Sequence, residues 1–405
     1  MKGVAALLLT AVSAVAAGAA EPRVVAREVI GHAGHAHELH LSGPAVAVRR
    51  DGVVLVAWYA QQGHDNHVMV TTAGAGAKPV RVNPDGLTAE SLHQPPGLAI
   101  GRQDEVYVSW SSSKPVPAGG IFASDLRLSR SLDGGRSFEG HLRINDDRPI
   151  SHGFEGLAVA PDGTVLVSWI DSRDGPNTAG SYLARVTDRG SRVERSAKLD
   201  PGETCVCCRI DVAAGPQESI AIAWRKVFPG SLRDMVVGTS RDGGRSFDPP
   251  ALVHADRWKI AACPHRGGSV GMDGRGRVYL AWYTESTDGQ PRMLFATSSD
   301  GRRFGPPTRL NGGTGSVPDH VRLAVDPRGR VAIVWEDATA VRRRVLLRTS
   351  TDGGRTLSPP VVLSTALKAY APDVTTTPTG DFVVAWHEEQ FPDLKTVVQT
   401  LALPK

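Results

Sequence analysis

The sequence of 405 residues has few cysteines, no long apolar run beyond its N-terminus and no concentration of charge of one sign. Without a run of about 18 apolar residues, no membrane-spanning helix is expected after the first 20 positions. The formal net charge is +4 and the basic residues are scattered, so nucleic acid is not an expected partner. Sustained helical periodicity is also missing, which argues against a helical protein. The four cysteines themselves are not scattered, because three of them stand in the segment CVCC at 205–208.

The N-terminal segment MKGVAALLLTAVSAVAAGAAEP has one lysine, an apolar stretch and small residues before Glu21. This order is typical of a secretory signal peptide, and we expect residues 1–20 to be removed on export. An uncleaved membrane anchor is the alternative, although the apolar stretch is short and rich in alanine. The predicted mature protein, residues 21–405, is therefore periplasmic or secreted, and disulfides are chemically permitted there.

A strand pattern that ends in tryptophan recurs along the chain, for example VVLVAWYA at 53 and RVYLAWYT at 277. Each copy alternates apolar with small or polar residues and follows a turn such as PDG or RDG. The shared residues, at intervals of 51 to 59 positions, are Trp58, Trp110, Trp169, Trp224, Trp282, Trp335 and Trp386. Four short strands per repeat, arranged around a circle, are typical of a β-propeller, which hides its sheet edges.

The repeat therefore predicts an all-β protein, a seven-bladed β-propeller formed by residues 21–405 as a single domain. A six-bladed ring with one stray repeat is the alternative. The last repeat lacks an outermost strand, because the chain ends soon after TVVQTLAL. The segment PRVVAREVI at 22–30 is expected to supply that strand and close the ring.

A second motif, S-x-D-G-G-x-x-F, starts at 131, 240, 298 and 350, with a glycine missing from the third copy and leucine ending the fourth. This Asp box resembles that of the sialidase superfamily, whose blades carry it on the turn between the third and fourth strands. Its aspartates are expected to cap backbone N–H groups, while glycine adopts a positive φ. The box aspartates, Asp133, Asp242, Asp300 and Asp352, are therefore predicted to be structural.

The resemblance also implies an exo-acting glycosidase with three arginines on a substrate carboxylate, a Tyr/Glu nucleophile pair and an Asp acid/base. The N-terminal Arg-Ile-Pro type motif of that family is absent. Candidates near strand ends on the binding face are Arg209, Arg225, Arg266, Arg322, Tyr59, Tyr283 and Glu285. No one set is favoured, so the catalytic residues stay unknown and so does enzymatic activity. A sialidase-type glycoside hydrolase and a metal-dependent oxidoreductase are the two enzyme classes considered.

Histidines and cysteines concentrate on the predicted face opposite the Asp boxes, with 11 of the 13 histidines and all four cysteines there. Four of these residues lie 17 positions before the tryptophan of their own repeat, namely His93, His152, Cys207 and His265. Equivalent positions in consecutive blades should gather at one mouth of the central channel. Imidazole and thiolate ligands suit copper or zinc. We predict a transition-metal site, with copper favoured and no organic cofactor, formed by His93, His152, Cys205, Cys207, Cys208, Cys263 and His265.

Other interpretations of these residues stay open. Four cysteines in an exported protein make two disulfides the default, and the histidines could line a wet channel. The segment GHAGHAHELH at 31–40 could capture metal while flexible. Metal handling or redox chemistry is the leading function, glycan binding or sialidase-like hydrolysis is second, and a non-catalytic protein-interaction propeller is third. A monomer is expected.

Overall fold

The protein is described by a computed structural model over residues 22–32, 42–62, 65–74, 76–90, 94–115, 122–175, 178–194, 196–312, 315–390 and 393–404. In this part of the chain thirty β-strands form six sheets and no helix is present. The all-β prediction is confirmed. Within the same residues there is accordingly no helix with the length and apolar character needed to cross a membrane.

The described strands fall into seven antiparallel units, and each repeated tryptophan lies on the strand that pairs with the first strand of its unit. In the second unit two short strands share the place of the first strand. Five units form sheets of their own. The sixth and seventh share one eight-stranded sheet, in which the parallel pair Arg343–Lys368 joins them. The tryptophan repeat of the sequence is thus a repeat of the structure.

The first unit consists of β2 (Ala45–Val48), β3 (Val54–Gln62), β4 (Asp65–Thr72) and β5 (Val80–Arg81). The second consists of β6 (Ala89–Glu90), β7 (Gly97–Ile100), β8 (Val106–Ser113), β9 (Ser124–Ser131) and β10 (Glu139–Arg143). The third consists of β11 (His152–Val159), β12 (Val165–Asp171), β13 (Gly180–Thr187), β14 (Arg192–Val193) and β15 (Ala197–Lys198). The fourth unit consists of β16 (Asp211–Ala214), β17 (Ile220–Phe228), β18 (Leu232–Ser240) and β19 (Ala251–Leu252). The fifth consists of β20 (Ser269–Met272), β21 (Val278–Thr284), β22 (Arg292–Ser298) and β23 (Thr308–Arg309). The sixth unit consists of β24 (Val317–Val325), β25 (Val331–Ala338), β26 (Arg343–Ser350) and β27 (Val361–Val362). The seventh consists of β28 (Lys368–Thr376), β29 (Phe382–Gln390) and β30 (Asp393–Ala402), with β1 (Arg23–His32) beside β30.

The N-terminal strand completes the last unit. β1 pairs antiparallel with β30, from Arg23 opposite Ala402 to His32 opposite Leu394. The prediction that PRVVAREVI supplies the missing outermost strand is therefore confirmed. The first strand of each unit lies against the first strand of the next, and β28 of the seventh unit lies against β2 of the first. One central cavity is lined by residues of all seven first strands.

Polar side chains at one register link neighbouring first strands around this cavity. Asp211, Ser269 and Asp373 each lie 13 residues before the tryptophan of their unit. Asp211 accepts a hydrogen bond from the backbone N–H of Val270 at 2.9 Å, and Asp373 accepts one from Val46 at 2.9 Å. Ser269 Oγ accepts one at 3.1 Å from the strand that follows. Since a buried N–H without a partner is costly, these three residues stabilise the contacts between units.

The tryptophans form the apolar core between units, and all seven are buried. Trp282 packs with Val237 of the preceding unit, and Trp335 packs with Tyr279 and Phe295 of its own preceding unit. Large aromatic side chains supply much of the buried apolar area in such contacts. The strand pattern that recurs along the chain therefore also places the core residues between units.

The Asp boxes lie between the third and fourth strands of the second, fourth, fifth and sixth units, as the resemblance implied. In the first box Asp133 Oδ1 accepts hydrogen bonds from the backbone N–H groups of Arg136 at 2.9 Å and Ser137 at 3.0 Å. The adjacent Gly134 has a φ of 75°. Burial alone would raise the pKa of Asp133, but hydrogen bonds from Ser131, Ser137 and the backbone lower it to about 2. The box is a turn held by one ionised carboxylate.

Replacing Asp133 by asparagine is expected to lower the free energy of unfolding by about 1 kcal/mol at pH 7, because charge-assisted hydrogen bonds become neutral at an exposed site. The folded-state pKa lies below the ordinary value, so this stabilisation is present above about pH 4 and is lost as the pH falls toward about 2. Urea unfolding of both proteins at pH 7 and at low pH measures the effect. A difference that stays the same in acid would show that the charge is not its cause.

Candidate functional site

Three of the four cysteines lie in the loop that leads into β16. The Cys205 N–H donates to the Arg225 carbonyl at 2.9 Å, and a turn brings the Cys208 N–H to 3.4 Å from the Cys205 carbonyl. The turn places the sulfurs side by side, with Cys205 Sγ 2.8 Å from Cys208 Sγ and 3.9 Å from Cys207 Sγ. All three sulfurs lie within 4.8 Å of one another and none is bridged. These residues are called the thiol cluster (Cys205, Cys207 and Cys208).

The thiol cluster is shielded from water. Cys205, Cys207 and Cys208 are 1%, 4% and 0% exposed, respectively. Phe154 of the third unit and Val227 of the fourth pack against it. A ligand bound there would therefore be held by sulfur in an apolar surrounding rather than by solvent.

A buried cation stands beside the thiol cluster. Arg225, which is 0% exposed, follows the tryptophan of β17 and donates to the backbone carbonyls of Arg233, Arg266 and Tyr283 at 2.6–3.3 Å. Its guanidinium carbon lies 4.8 Å from the ring centroid of Trp258. Among the described residues, no carboxylate oxygen lies within 4.0 Å of a guanidinium nitrogen of Arg225. Since a buried charge is costly unless it is compensated, the site favours a negative charge nearby.

The thiols are unequal in acidity. Hydrogen bonds from Cys207 and Cys208, followed by the charge of Arg225, lower the pKa of Cys205. The Arg233 Nη1 atom donates to the Cys205 sulfur at 3.4 Å. Burial raises the pKa of Cys208 to about 12, and hydrogen bonds with its two neighbours raise that of Cys207. The expected state without metal is one thiolate supported by two thiols, whose protons a bound metal would replace.

The loop before β20 is linked to the thiol cluster through Arg233. Arg233 Nη1 donates to the Ala262 carbonyl at 2.8 Å and so connects this loop to the cysteine that it also contacts. The ring of His265 lies 6.1 Å from that of Phe154, centroid to centroid. Cys263 is unbridged and exposed. The structure thus brings Cys263 and His265 to the neighbourhood of the cluster, although neither belongs to the group of sulfurs within 4.8 Å.

Of the two predicted histidine ligands from the earlier units, only His152 lies within the described residues. His93 and residues 33–40 of GHAGHAHELH lie outside the described residues. His152 is buried, with Nδ1 2.7 Å from the Ser124 carbonyl. Its Nε2 lies 3.8 Å from Asp146 Oδ1 and 3.9 Å from Asp171 Oδ2. Within the described part of the chain, the thiol cluster is the only group of three or more such ligands within 4.8 Å.

A second polar site lies at the mouth of the central channel. Three arginines that the sequence singled out line it, namely Arg209, Arg266 and Arg322, together with His320. Arg209 directly follows the thiol cluster in sequence, and its Nη2 lies 2.9 Å from Asp211 Oδ1. We call Arg209, Arg266 and Arg322 the arginine site. Each arginine already has a carboxylate partner, namely Asp211, Asp319 and Asp373 in turn, so an anionic ligand would compete with these carboxylates.

Tyr283 and Glu285 form a pair beside the arginine site. The Tyr283 hydroxyl donates to Glu285 Oε1 at 2.5 Å, and the Arg266 guanidinium carbon lies 4.2 Å from the tyrosine ring centroid. Arg266 Nε also donates to Asp319 Oδ2 at 3.1 Å. Burial, and then the hydrogen bond to Glu285, raise the pKa of Tyr283 above its ordinary value. The other candidates have different roles: Arg225 binds backbone carbonyls, as described above.

The channel also contains an acidic group that the sequence did not reveal. Glu155 of β11 lines the central cavity of ≈ 210 Å³ together with Arg209 and Arg322. Gln94 Nε2 donates to Glu155 Oε2 at 2.5 Å, and burial raises the pKa of Glu155 to about 7. One signal could have found it, because Glu155 lies 14 residues before Trp169, next to the register of the channel-lining residues.

No protein-family model matches the sequence, and no curated protein matches it. Solved structures do match. A polysaccharide lyase superposes with a TM-score of 0.58 and 11% identity, over 96% of this chain and 100% of that one. An α-L-arabinofuranosidase of Fusarium graminearum superposes with a TM-score of 0.52 and 13% identity, over 94% and 98%. A protein of unknown function from Dyadobacter fermentans gives 0.54 and 15%, over 95% and 99%.

The likeness is one of fold. It extends over nearly the whole of each chain, which agrees with the all-β repeat architecture described above. At these identities it assigns no residue a role, since one fold serves many chemistries. The resemblance of the Asp boxes to the sialidase superfamily stays a prediction about ancestry.

Proposed function

We propose that residues 21–405 form a single exported domain, a seven-bladed propeller of sialidase type, which binds a soft transition metal at the thiol cluster. Residues 1–20 act as the signal peptide, and the seven structural units are the blades. The contacts of the first strands from β2 around to β28 and back support this closure. The observation that carries the function is the juxtaposition of three buried thiols with a buried arginine that has no ion-pair partner among the described residues.

Charge supports a metal–thiolate complex over three neutral thiols. Three thiolates with one monovalent ion are negative in sum, and Arg225 and Arg233 lie where they offset that charge. A disulfide between two of the cysteines would carry no charge, so that Arg225 would rely on its carbonyl partners and on the charge of Asp234 alone. The thiol cluster is therefore proposed to work as a ligand set rather than as a covalent bridge.

The number and type of ligands favour Cu(I) over zinc. Thiolates are soft ligands that select Cu(I) or zinc, and Cu(I) is satisfied by three of them. Structural zinc sites are almost always four-coordinate. Three sulfurs within 4.8 Å of one another therefore match Cu(I) without a further ligand, whereas zinc would need one.

Protein purified from the periplasm without a histidine tag is expected to contain about one copper ion per chain, because the apo cluster holds protons that the metal replaces. Elemental analysis measures the metal, and a thiol titration of the denatured, chelated protein is expected to find all four cysteines free. A protein with neither copper nor zinc and with no free thiols would show that the cysteines are structural bridges.

A second candidate function is binding of an acidic saccharide at the arginine site. The observation that favours it is the convergence of Arg209, Arg266 and Arg322 beside the Tyr283–Glu285 pair. The fold neighbours named as a polysaccharide lyase and an arabinofuranosidase are consistent with a carbohydrate ligand. Whether such a ligand is cleaved or only bound is part of the test.

Replacing Arg266 by glutamine is expected to weaken the binding of uronate- or sialate-containing oligosaccharides by about 10-fold, because a charge-assisted hydrogen bond is lost in a partly buried site. Isothermal titration measures the affinity, and fluorogenic glycosides measure any hydrolysis. The matched control is Arg303→Gln, since that side chain is 92% exposed beside an Asp box. Equal affinities for the two variants would contradict the arginine site.

A further inference from the structure

Cys263 is the one cysteine outside the thiol cluster, and the structure ties its loop to that cluster. Residues 261–267 precede β20. The Ala262 carbonyl accepts a hydrogen bond from the same Arg233 nitrogen that contacts the Cys205 sulfur. The neighbouring Pro264 is followed by His265, whose ring lies against Phe154 at 6.1 Å. The loop is therefore linked to the thiol cluster through Arg233, while its own thiol stays exposed.

Two further features fix the position of this loop. A methyl group added at Gly267 would stand 2.2 Å from the Arg209 carbonyl, so the loop backbone is packed against the segment that follows Cys208. His265 has a φ of 53°, in the left-handed region that non-glycine residues seldom adopt. The loop backbone is thus held against the segment that directly follows the thiol cluster.

We propose that Cys263 is the transfer ligand of the metal site, the thiol through which Cu(I) enters and leaves the thiol cluster. This inference rests on the function proposed above. A trio of sulfurs that is 0–4% exposed cannot be reached directly by a large partner. An exposed thiol one residue from a contact with Arg233 provides the route, and the partner is a protein or small molecule that offers thiolate or another soft Cu(I) ligand.

The step is a ligand exchange without electron transfer. Cys263 releases its thiol proton to solvent and its sulfur forms a bond to Cu(I), while the bond from Cys205 breaks. The released Cys205 thiolate keeps its hydrogen bond from Arg233 and its favourable interaction with Arg225. Soft ligands of the acceptor then replace the sulfurs of Cys207 and Cys208 and finally that of Cys263. These three sulfurs take up protons from solvent as they are released, and copper stays monovalent throughout. Loading follows the same steps in reverse.

The test compares transfer rate with affinity in the full-length mature protein, loaded anaerobically with one Cu(I) per chain. Cys263→Ser is expected to slow transfer to an excess of a colorimetric Cu(I) chelator by about 10-fold or more, because exchange depends on an accessible thiolate. Its equilibrium affinity, from chelator competition, is expected to change by less than about 3-fold, since the cluster ligands and their surroundings are intact. Ala261→Ser, in the same exposed loop, is the matched control and should transfer at the wild-type rate.

Two outcomes would overturn the proposal. Transfer from Cys263→Ser at the wild-type rate would show that the exposed thiol has no part in exchange. A fall in affinity as large as that caused by loss of a cluster cysteine would make Cys263 a permanent ligand instead. Failure of the unmodified protein to hold Cu(I) is a different result, because it refutes the proposed function itself.

Discussion

Replacing Cys208 by serine is expected to lower the affinity for Cu(I) by about 100-fold or more. Loss of a residue that only supports a ligand already costs about 10- to 100-fold, and Cys208 is proposed to be a ligand itself. Its sulfur lies 2.8 Å from that of Cys205 and the residue is 0% exposed. A serine hydroxyl is a hard donor that Cu(I) binds poorly, and no water can replace the missing sulfur at a buried position.

Competition with a Cu(I) chelator under anaerobic conditions measures this change. Urea unfolding of the metal-free variant is the necessary control, since serine differs from cysteine by one atom and the apo protein should remain folded. Wild-type affinity in a folded Cys208→Ser protein would exclude the thiol cluster as the metal site. The same variant should also lose the stabilisation that bound copper gives to the folded wild-type protein.

Replacing Arg225 by methionine is expected to lower the free energy of unfolding of the metal-free protein by about 3 kcal/mol or more. The guanidinium satisfies the buried carbonyls of Arg233, Arg266 and Tyr283, and each carbonyl left without a donor costs about 1–3 kcal/mol. Methionine keeps much of the packing against Trp258 but none of the hydrogen bonds. The variant should also bind Cu(I) less tightly, because a cation beside the thiolates is lost.

Arg225→Lys separates these two roles. Lysine keeps the charge but not the planar set of donors, so it should restore copper affinity more fully than it restores stability. Urea unfolding and chelator competition on the two variants give both quantities. If the methionine variant were as stable as wild type and bound Cu(I) equally well, the buried cation would have neither role.

The parts of the fold that the sequence predicted are those with a local and repeated cause. The seven tryptophans mark second strands because each must fill the same space against the preceding unit, as Trp282 and Trp335 do. The box around Asp133 is a turn whose hydrogen bonds all lie within a few residues. The position of PRVVAREVI followed from the number of strands, because the last repeat lacked its outermost strand and this segment belonged to no repeat.

The candidate site was less predictable because equal register did not give equal surroundings. His152 and Cys207 both stand 17 residues before a tryptophan. Yet β11 begins at His152, which pairs with Asp171, whereas β16 begins only at Asp211 and leaves Cys207 in a turn. A difference of a few residues in strand length thus directs one side chain toward carboxylates and the other toward sulfur.

Groups contributed by different units were beyond sequence reasoning. Glu155 meets Gln94 of the preceding unit, and Arg225 gains its importance from thiols that belong to another segment. Register places Glu155 beside the channel-lining positions, but its contact with Gln94 and the effect of Arg225 on the thiols arise only when the chain is folded. Arg209, Arg266 and Arg322 could be named as candidates, but only the structure brought them to one cavity.

The pairing of β1 with β30 has a consequence for how the chain matures. During synthesis the first strand leaves the ribosome long before its partner, with Val24, Val25 and Val29 about half exposed even in the finished protein. β1 can therefore pair only when β30 has been synthesised, and among the described residues this pairing joins segments that lie very far apart in sequence. A nascent or prematurely terminated chain lacks closure as a whole rather than one local piece.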